Sequence, residues 1–160
     1  MPKTSAGLVM LDPDGRVLLV HPGGPYFTRR DTGVWSIPKG MSEPGEELLA
    51  TARREFEEEL GLTPPDAADL YSLGRIRQSG GKTVTAWVFL GTWDPTLLRS
   101  NLFELEWPPR SGTRRTFPEV DRAEFFDPVA ARERIVPAQY PLVERALEWL
   151  SARSTADSRS

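Results

Sequence analysis

Residues 40–62, GMSEPGEELLATARREFEEELGL, constrain this chain more than any other stretch. The part from Glu46 to Leu60 reads as a helix. Pro44 and Gly45 precede it, Glu46 and Glu47 suit its positive N-terminal end, and Gly61 is a left-handed stop followed by Pro64 and Pro65. Leu49, Ala52 and Phe56 fall at i, i+3 and i+7 and form an apolar stripe. Glu55, Glu58 and Glu59 fall at i, i+3 and i+4, within about 100° of arc on another side. Such a helix packs one side on a sheet and presents carboxylates from the side next to it.

Three crowded like charges repel by a few tenths of a kcal/mol per pair even in water. A hard divalent cation reverses the sign, because Mg²⁺ prefers carboxylate oxygens and keeps positions open for water or phosphate. Glu-rich helices are common, and a lone EEE is most simply a solvated face. That plain alternative makes this a charged surface helix in an α/β domain of another kind. The wider pattern argues against it. Gly40, Glu46, Arg54, Glu55, Glu58, Glu59 and Gly61 stand at fixed offsets. With each residue type near roughly 7% of usage, that coincidence has a chance on the order of 10⁻⁸ per starting position.

The rest of the chain supplies strands around this helix. Residues 6–11 and 16–21 read as a hairpin about Pro13-Asp14-Gly15, and HPGGPYFTRRDTG (residues 21–33) reads as an irregular loop. Val34 to Ile37 reads as a short strand ended by Pro38. Leu70 to Gln78 and Val84 to Trp93 read as strands around a turn at Ser79 to Lys82. Asp94 to Ser100 connects to an alternating, half-buried strand at Leu102 to Trp107. Residues 108–115 read as a loop, Ala123 to Phe126 as a short strand, and Pro128 to Ile135 and Leu142 to Ala152 as helices. The arrangement predicts one α/β layered domain over residues 1–153, with residues 154–160 a disordered tail.

Composition closes off several chemistries. The chain has no cysteine, which excludes disulfides, thiolate zinc sites and a cysteine nucleophile. Its net charge of −3 argues against general nucleic-acid binding, though not against a nucleotide held locally. The apolar run near the N-terminus breaks at Asp12, so it reads as neither a signal peptide nor a membrane span, and the expected compartment is the cytoplasm.

The spacing of residues 40–62 has a name. G-x5-E-x7-R-E-U-x-E-E-x-G-U, with U apolar, is the Nudix box. Gly40, Glu46, Arg54, Glu55, Phe56, Glu58, Glu59, Gly61 and Leu62 fill every specified position. The chain resembles a Nudix hydrolase, and softer likeness extends over roughly residues 5 to 150. The resemblance implies the Nudix fold, a mixed β-sheet in an α/β/α sandwich. It implies a metal-dependent pyrophosphohydrolase using Mg²⁺ or Mn²⁺, with more than one ion once substrate is bound. Glu55, Glu58 and Glu59 would be metal ligands, the Gly40 carbonyl a further one, and Glu55 alternatively the general base. Glu46 would support these ligands without touching the metal, or serve only to balance the helix dipole. Arg54 would orient a glutamate. Glu47 and Glu57 read as solvent-facing.

A glutamate outside the box often completes such sites. Glu104, Glu106, Glu119 and Glu124 are candidates. Glu119 is favoured, because FPEVDRAEFF looks like the acidic loop before the last strand in Nudix enzymes of the diadenosine tetraphosphate hydrolase type. Trp35-Ser36-Ile37-Pro38-Lys39-Gly40 also resembles a run in those enzymes. Lys39 is therefore a substrate-binding candidate for a phosphate oxygen. Trp35 is a weaker one, since an aromatic in a strand is usually packing. His21, the one histidine, reads as loop structure, and Pro22 to Pro25 as turns. Beyond the box, Arg77-Gln78-Ser79-Gly80 holds neither the tyrosine nor the proline that marks some subfamilies. The best substrate reading is a dinucleoside polyphosphate such as diadenosine tetraphosphate. Alternatives are a nucleoside triphosphate, ADP-ribose, a capped or triphosphorylated RNA end, or a sensor that binds nucleotide without turnover.

Overall fold

Two continuous apolar runs at the start of the chain become adjacent buried strands. A computed structural model describes residues 3–158. Strand β1 (Thr4–Leu11) turns through Asp12 to Arg16 into β2 (Val17–Pro22). Asp12 fixes the turn: its Oδ1 accepts from the backbone N–H of Asp14 (3.0 Å) and Arg16 (2.9 Å). The two strands pair only near the turn, at Leu11↔Val17, and then separate. Residues 36–38 wedge into the gap. Val20 and Ser36 exchange backbone hydrogen bonds of 2.8 and 3.0 Å, and Leu8 N–H donates to Pro38 O at 3.1 Å.

That wedge delivers the next segment to its position. Strand β3 (Lys39–Met41) pairs antiparallel with the start of β1 through Ser5↔Met41, Ala6↔Gly40 and Gly7↔Lys39. Helix α1 (Leu48–Leu60) follows. Then come β4 (Tyr71–Arg77), β5 (Thr83–Leu90), β6 (Leu102–Glu106), β7 (Arg114–Pro118) and β8 (Val120–Phe126). Helices α2 (Pro128–Arg134) and α3 (Tyr140–Ser158) complete the described chain. The main sheet runs β4-β5-β1-β2-β8, with β3 also on β1, and β1 lies parallel to β5 along its whole length. The other pairs are antiparallel, so the sheet is mixed.

Period-two alternation sends neighbouring side chains to opposite layers. Val9, Leu11, Val17 and Leu19 pack with Ala131 of α2 and with Leu142, Val143 and Ala146 of α3. Leu8, Met10, Leu18 and Val20 pack against Ala52, Phe56 and Leu60 of α1. Each large side chain buried this way stabilises the fold by about 1.5–3 kcal/mol. The result is an α/β/α sandwich, as the sequence leads one to expect. No helix among the described residues is long and apolar enough to cross a membrane.

Four local expectations change. Val34 to Ile37 forms no strand but only isolated bridges, Val20↔Ser36 and Trp35↔Ile135, because it fills a gap between diverging strands. Residues 114–118, read as mostly loop, form β7 and pair with β6 in a separate two-stranded ribbon. The residues of β7 are largely exposed, so no hydrophobic alternation marks that strand. His21 lies in β2 and is fully buried rather than part of a loop. Helix α3 continues past Ala152 to Ser158 and takes in most of the expected tail. Once a packed stripe has nucleated a helix, each further residue adds one hydrogen bond at little cost. Residues 159–160 lie outside the described part.

Candidate active site

The helix begins at Leu48, two residues later than its sequence suggests, which leaves Glu46 in the preceding turn. There its carboxylate gathers donors. Thr51 Oγ1 donates to Oε1 at 2.6 Å and the Glu43 backbone N–H at 3.1 Å. Arg54 donates from Nε to Oε2 at 2.8 Å and from Nη2 to Oε1 at 3.0 Å. This bidentate fork is the strong form of an Arg–carboxylate pair. The Arg54 hydrogen bonds, with those from Thr51 and Glu43, hold the Glu46 carboxyl down at about 2. Glu46 in turn leads the groups that raise the Arg54 guanidinium above its usual range. Glu46 therefore does more than balance a dipole: it fixes Arg54.

Arg54 passes that order on. Its Nη1 donates to Glu55 Oε1 at 2.9 Å and to Glu58 Oε2 at 3.1 Å, and its Nη2 donates to Met41 O at 3.2 Å. Glu55 then lies beneath β3. A Cβ added to Gly40 would land on the Glu55 carboxyl, so only glycine leaves room for this approach. Burial raises the Glu55 carboxyl above its usual range, against the Arg54 charge and with help from Glu58.

Glu59 is the least expected member. The sequence places the carboxylates away from the packing stripe, yet Glu59 is only 7% exposed on the same side of α1 as Ala52 and Phe56. Its Oε1 accepts the backbone N–H of Lys39 at 3.0 Å. Burial, more than the Glu55 and Glu119 charges, pushes its carboxyl up to about 8. Burial also lowers the Lys39 ammonium. The Glu59 charge opposes that shift and Lys82 adds to it.

Glu119 reaches the group through backbone ties. Asn101 N–H donates to Glu58 O on α1, and Glu119 N–H donates to Asn101 O, both at 2.8 Å. Gly23 N–H donates to Glu119 O at 2.9 Å. Asn101 thus pins the base of the β6–β7 ribbon to the last turns of α1, and Glu119 is held there through Asn101. Burial raises the Glu119 carboxyl, with the Glu58 charge adding. Lys39, Glu59 and Glu119 line one cleft of about 170 Å³ with Pro22, Val34 and Ser36. The other outside candidates sit elsewhere. Glu104 pairs with Arg114 on the ribbon at 3.6 Å. Glu106 lies on β6 opposite Arg114. Glu124 lines a larger cleft of about 960 Å³ beside β8, with Trp93 and Phe125 and without any residue of the box. Glu47 and Glu57 are exposed, as expected.

Trp35 is corrected as a substrate contact. It is fully buried, edge-on to His21 and Phe126, with Nε1 donating to Asp31 Oδ1 at 2.9 Å. Sequence reasoning missed Thr51 and Gln139. Gln139, 1% exposed, accepts the Ile37 N–H on its Oε1 at 3.0 Å and so holds the segment that leads to Lys39. A lone amide ahead of a helix carries no signal of that role.

The donor set suits a hard cation. It consists of carboxylate oxygens, with Glu59 held above its usual range by burial and by neighbouring negative charge. Among the described residues, no three acidic or histidine side chains already stand in a metal-gripping group. Arg54 Nη1 bridges Glu55 and Glu58 instead. Arg54 takes one oxygen of each, Glu55 Oε1 and Glu58 Oε2, and leaves the second carboxylate oxygen of each to other partners.

Known proteins share this architecture. The Caenorhabditis elegans Ap4A hydrolase binary complex superposes with a TM-score of 0.63 at 20% identity, covering 94% of this chain and 98% of that one. The Nudix domain of Shewanella oneidensis NrtR, complexed with ADP-ribose, superposes at 0.65 and 17% identity, covering 94% and 89%. At these identities the likeness is one of fold. RNA pyrophosphohydrolase of Halorhodospira halophila is 27% identical over 97% of this chain and 83% of its own length. A 31-residue stretch is 58% identical to the mitochondrial ADP-ribose pyrophosphatase of Rattus norvegicus, over 19% of this chain and 9% of that protein. RNA pyrophosphohydrolase of Rhodopseudomonas palustris is 35% identical over 38% of this chain and 34% of its own length. The chain thus spans about a third or less of the length of these last two relatives. The NUDIX domain profile matches residues 1–146, and the chain belongs to the Nudix family.

Proposed function

We propose that this chain is a metal-dependent hydrolase that cleaves a phosphoanhydride bond in a nucleoside diphosphate linked to another group. The observation that carries the reading is the convergence of Lys39, Glu59 and Glu119 on one cleft above the Glu46–Arg54–Glu55 chain of hydrogen bonds. Glu55, Glu58, Glu59 and Glu119, with the Gly40 carbonyl, would hold Mg²⁺ or Mn²⁺. Such an ion supplies charge neutralisation at phosphoryl oxygens and lowers the pKa of a bound water.

The chain's own residues have distinct tasks. Lys39 presents a compact positive charge to a phosphate oxygen in a setting that excludes much of the water. Glu119 and Glu55, both raised by burial, are the groups suited to accept a proton from the attacking water. Arg54 keeps Glu55 and Glu58 oriented and touches no reacting atom. Glu59 fixes the backbone at Lys39 through its hydrogen bond.

The leading substrate is a dinucleoside polyphosphate such as diadenosine tetraphosphate. The Trp35–Gly40 run and Glu119 support it, and the Ap4A hydrolase shares the fold over nearly its whole length. A second reading, a triphosphorylated RNA end, is favoured by the Halorhodospira halophila relative, which aligns over nearly the whole of this chain. A panel of diadenosine tetraphosphate, triphosphate-ended RNA oligonucleotide, ADP-ribose and nucleoside triphosphates, assayed with Mg²⁺ for product release, separates these. Turnover of diadenosine tetraphosphate well above the rest is expected. Tight binding of any of them with no product over hours contradicts the hydrolase reading and favours a sensor.

A further inference from the structure

The hydrolytic reading leaves His21 without a task. Yet it is the one histidine in the chain and fully buried in β2. A buried imidazole needs partners for both nitrogens. Nδ1 lies 2.7 Å from Asp121 Oδ1, and Nε2 lies 2.6 Å from the carbonyl oxygen of Arg30. Its ring meets Trp35 edge-on, with centroids 5.2 Å apart.

These contacts reach three segments, each of which supplies the cleft lining from a neighbouring residue: Pro22, Ser36 and Val120. Asp121 stands just beyond Glu119 at the start of β8. Trp35 precedes Ser36 and Lys39. Arg30 closes the loop that starts at Pro22. The neighbouring loop residue is held as well: Asp31 accepts from Trp35 Nε1 and pairs with Arg134. The crown of the same loop is held by packing, with Tyr26 edge-on to Trp107 and Phe27 against the core, rather than by strong polar ties. Tyr26, Thr28 and Arg29 are exposed, and Thr28 Oγ1 makes only long hydrogen bonds to Gly24 O (3.3 Å) and Pro25 O (3.4 Å). One buried side chain therefore joins a partly exposed loop to the start of β8, next to Glu119, and to the segment that leads to Lys39.

We propose that His21 is a positioning residue that clamps the loop of residues 22–33 beside the cleft. It thereby sets how this loop meets the part of the substrate beyond the cleaved phosphates. The consequence for turnover rests on the hydrolase reading above; the clamp itself does not.

Asparagine and glutamine separate the two nitrogens. The amide nitrogen of Asn falls near the place of Nδ1, and that of Gln near the place of Nε2. His21→Asn keeps the tie to Asp121 and loses the tie to Arg30; His21→Gln keeps the loop tie. The readouts are tryptic cleavage of the native protein after Arg29 and Arg30, and KM and kcat for diadenosine tetraphosphate with Mg²⁺. Loss of one strong buried hydrogen bond predicts cleavage about ten-fold faster in His21→Asn, with KM raised about ten-fold and kcat within about two-fold. His21→Gln is expected to stay within about three-fold of the unmutated protein in both. Equal behaviour of the two variants in loop cleavage and KM overturns the proposal. So does cleavage after Arg29 and Arg30 in the unmutated protein as fast as in His21→Asn.

Should His21→Asn fail to fold, Asp121→Ala removes one acceptor from a position 33% exposed. It is expected to change loop cleavage and KM by about three-fold, and no change in either overturns the proposal. If no compound is hydrolysed, the tryptic comparison still decides the clamp, and only the hydrolase reading falls.

Discussion

Glu59 is a carboxylate on the packing face of a helix. Hydropathy alone assigns such a residue to solvent, because ionised carboxylates are seldom buried without a partner. Its position could be read from the box but its burial could not, since that depends on β3 lying across α1. The burial has a testable sign. The Glu59 carboxyl is pushed up to about 8 in the folded protein, from an ordinary value near 4.5. Between these values the folded state binds more protons than the unfolded one, so stability falls as pH rises. The contribution is fully present below about 4.5 and is lost as pH rises through about 8. Denaturant melts in EDTA at pH 5 and pH 9 are expected to show the protein weaker at pH 9. Glu59→Gln, which keeps an oxygen for the Lys39 N–H, is expected to remove much of that difference. An unchanged difference in Glu59→Gln contradicts the buried placement.

At the scale of elements, the site is a joint between α1 and β3. The helix was legible from its stripe and its Gly61 stop: Gly61 has φ 74° and donates its N–H to Glu57 O at 2.8 Å. Strand β3 was not legible. It spans three residues, Lys39–Met41, and exists because β1 and β2 diverge and residues 36–38 fill the gap. The expected strand at Val34 to Ile37 failed for the same reason, since those side chains are buried without joining a ladder. Gly40 is the point of contact in the joint. A Cβ there meets the far end of the Glu55 side chain, which can swing aside, rather than backbone. Gly40→Ala is therefore expected to lower stability by less than about 1 kcal/mol. The displaced Glu55 is expected to reduce the hydrolytic rate by about a hundred-fold. Thermal melts and rates measured on one preparation check this. A large loss of stability, or an unchanged rate, contradicts the close approach of Gly40 and Glu55.

Across the whole molecule, the sandwich followed from two periodicities, apolar strands at period two and one helical stripe. Strand β6 followed from its alternation too, but its partner β7 and the clamp at His21 did not. The ribbon is exposed along most of its length, and the clamp joins residues one hundred positions apart. Such features come from tertiary placement rather than local pattern. The same placement brings Glu119 to the box carboxylates, through Asn101, which is tied to Glu58 of α1.

The reaction proposed for this cleft is cleavage of a phosphoanhydride with the help of a divalent cation held by its carboxylates. The most direct test is the initial rate of diadenosine tetraphosphate cleavage against MgCl₂ concentration, for the unmutated protein and for Glu59→Gln. No rate is expected in EDTA, with a saturable rise with Mg²⁺ and a fall of at least about a hundred-fold in Glu59→Gln at saturating Mg²⁺. Equal, metal-independent cleavage by both proteins would contradict the proposed reaction.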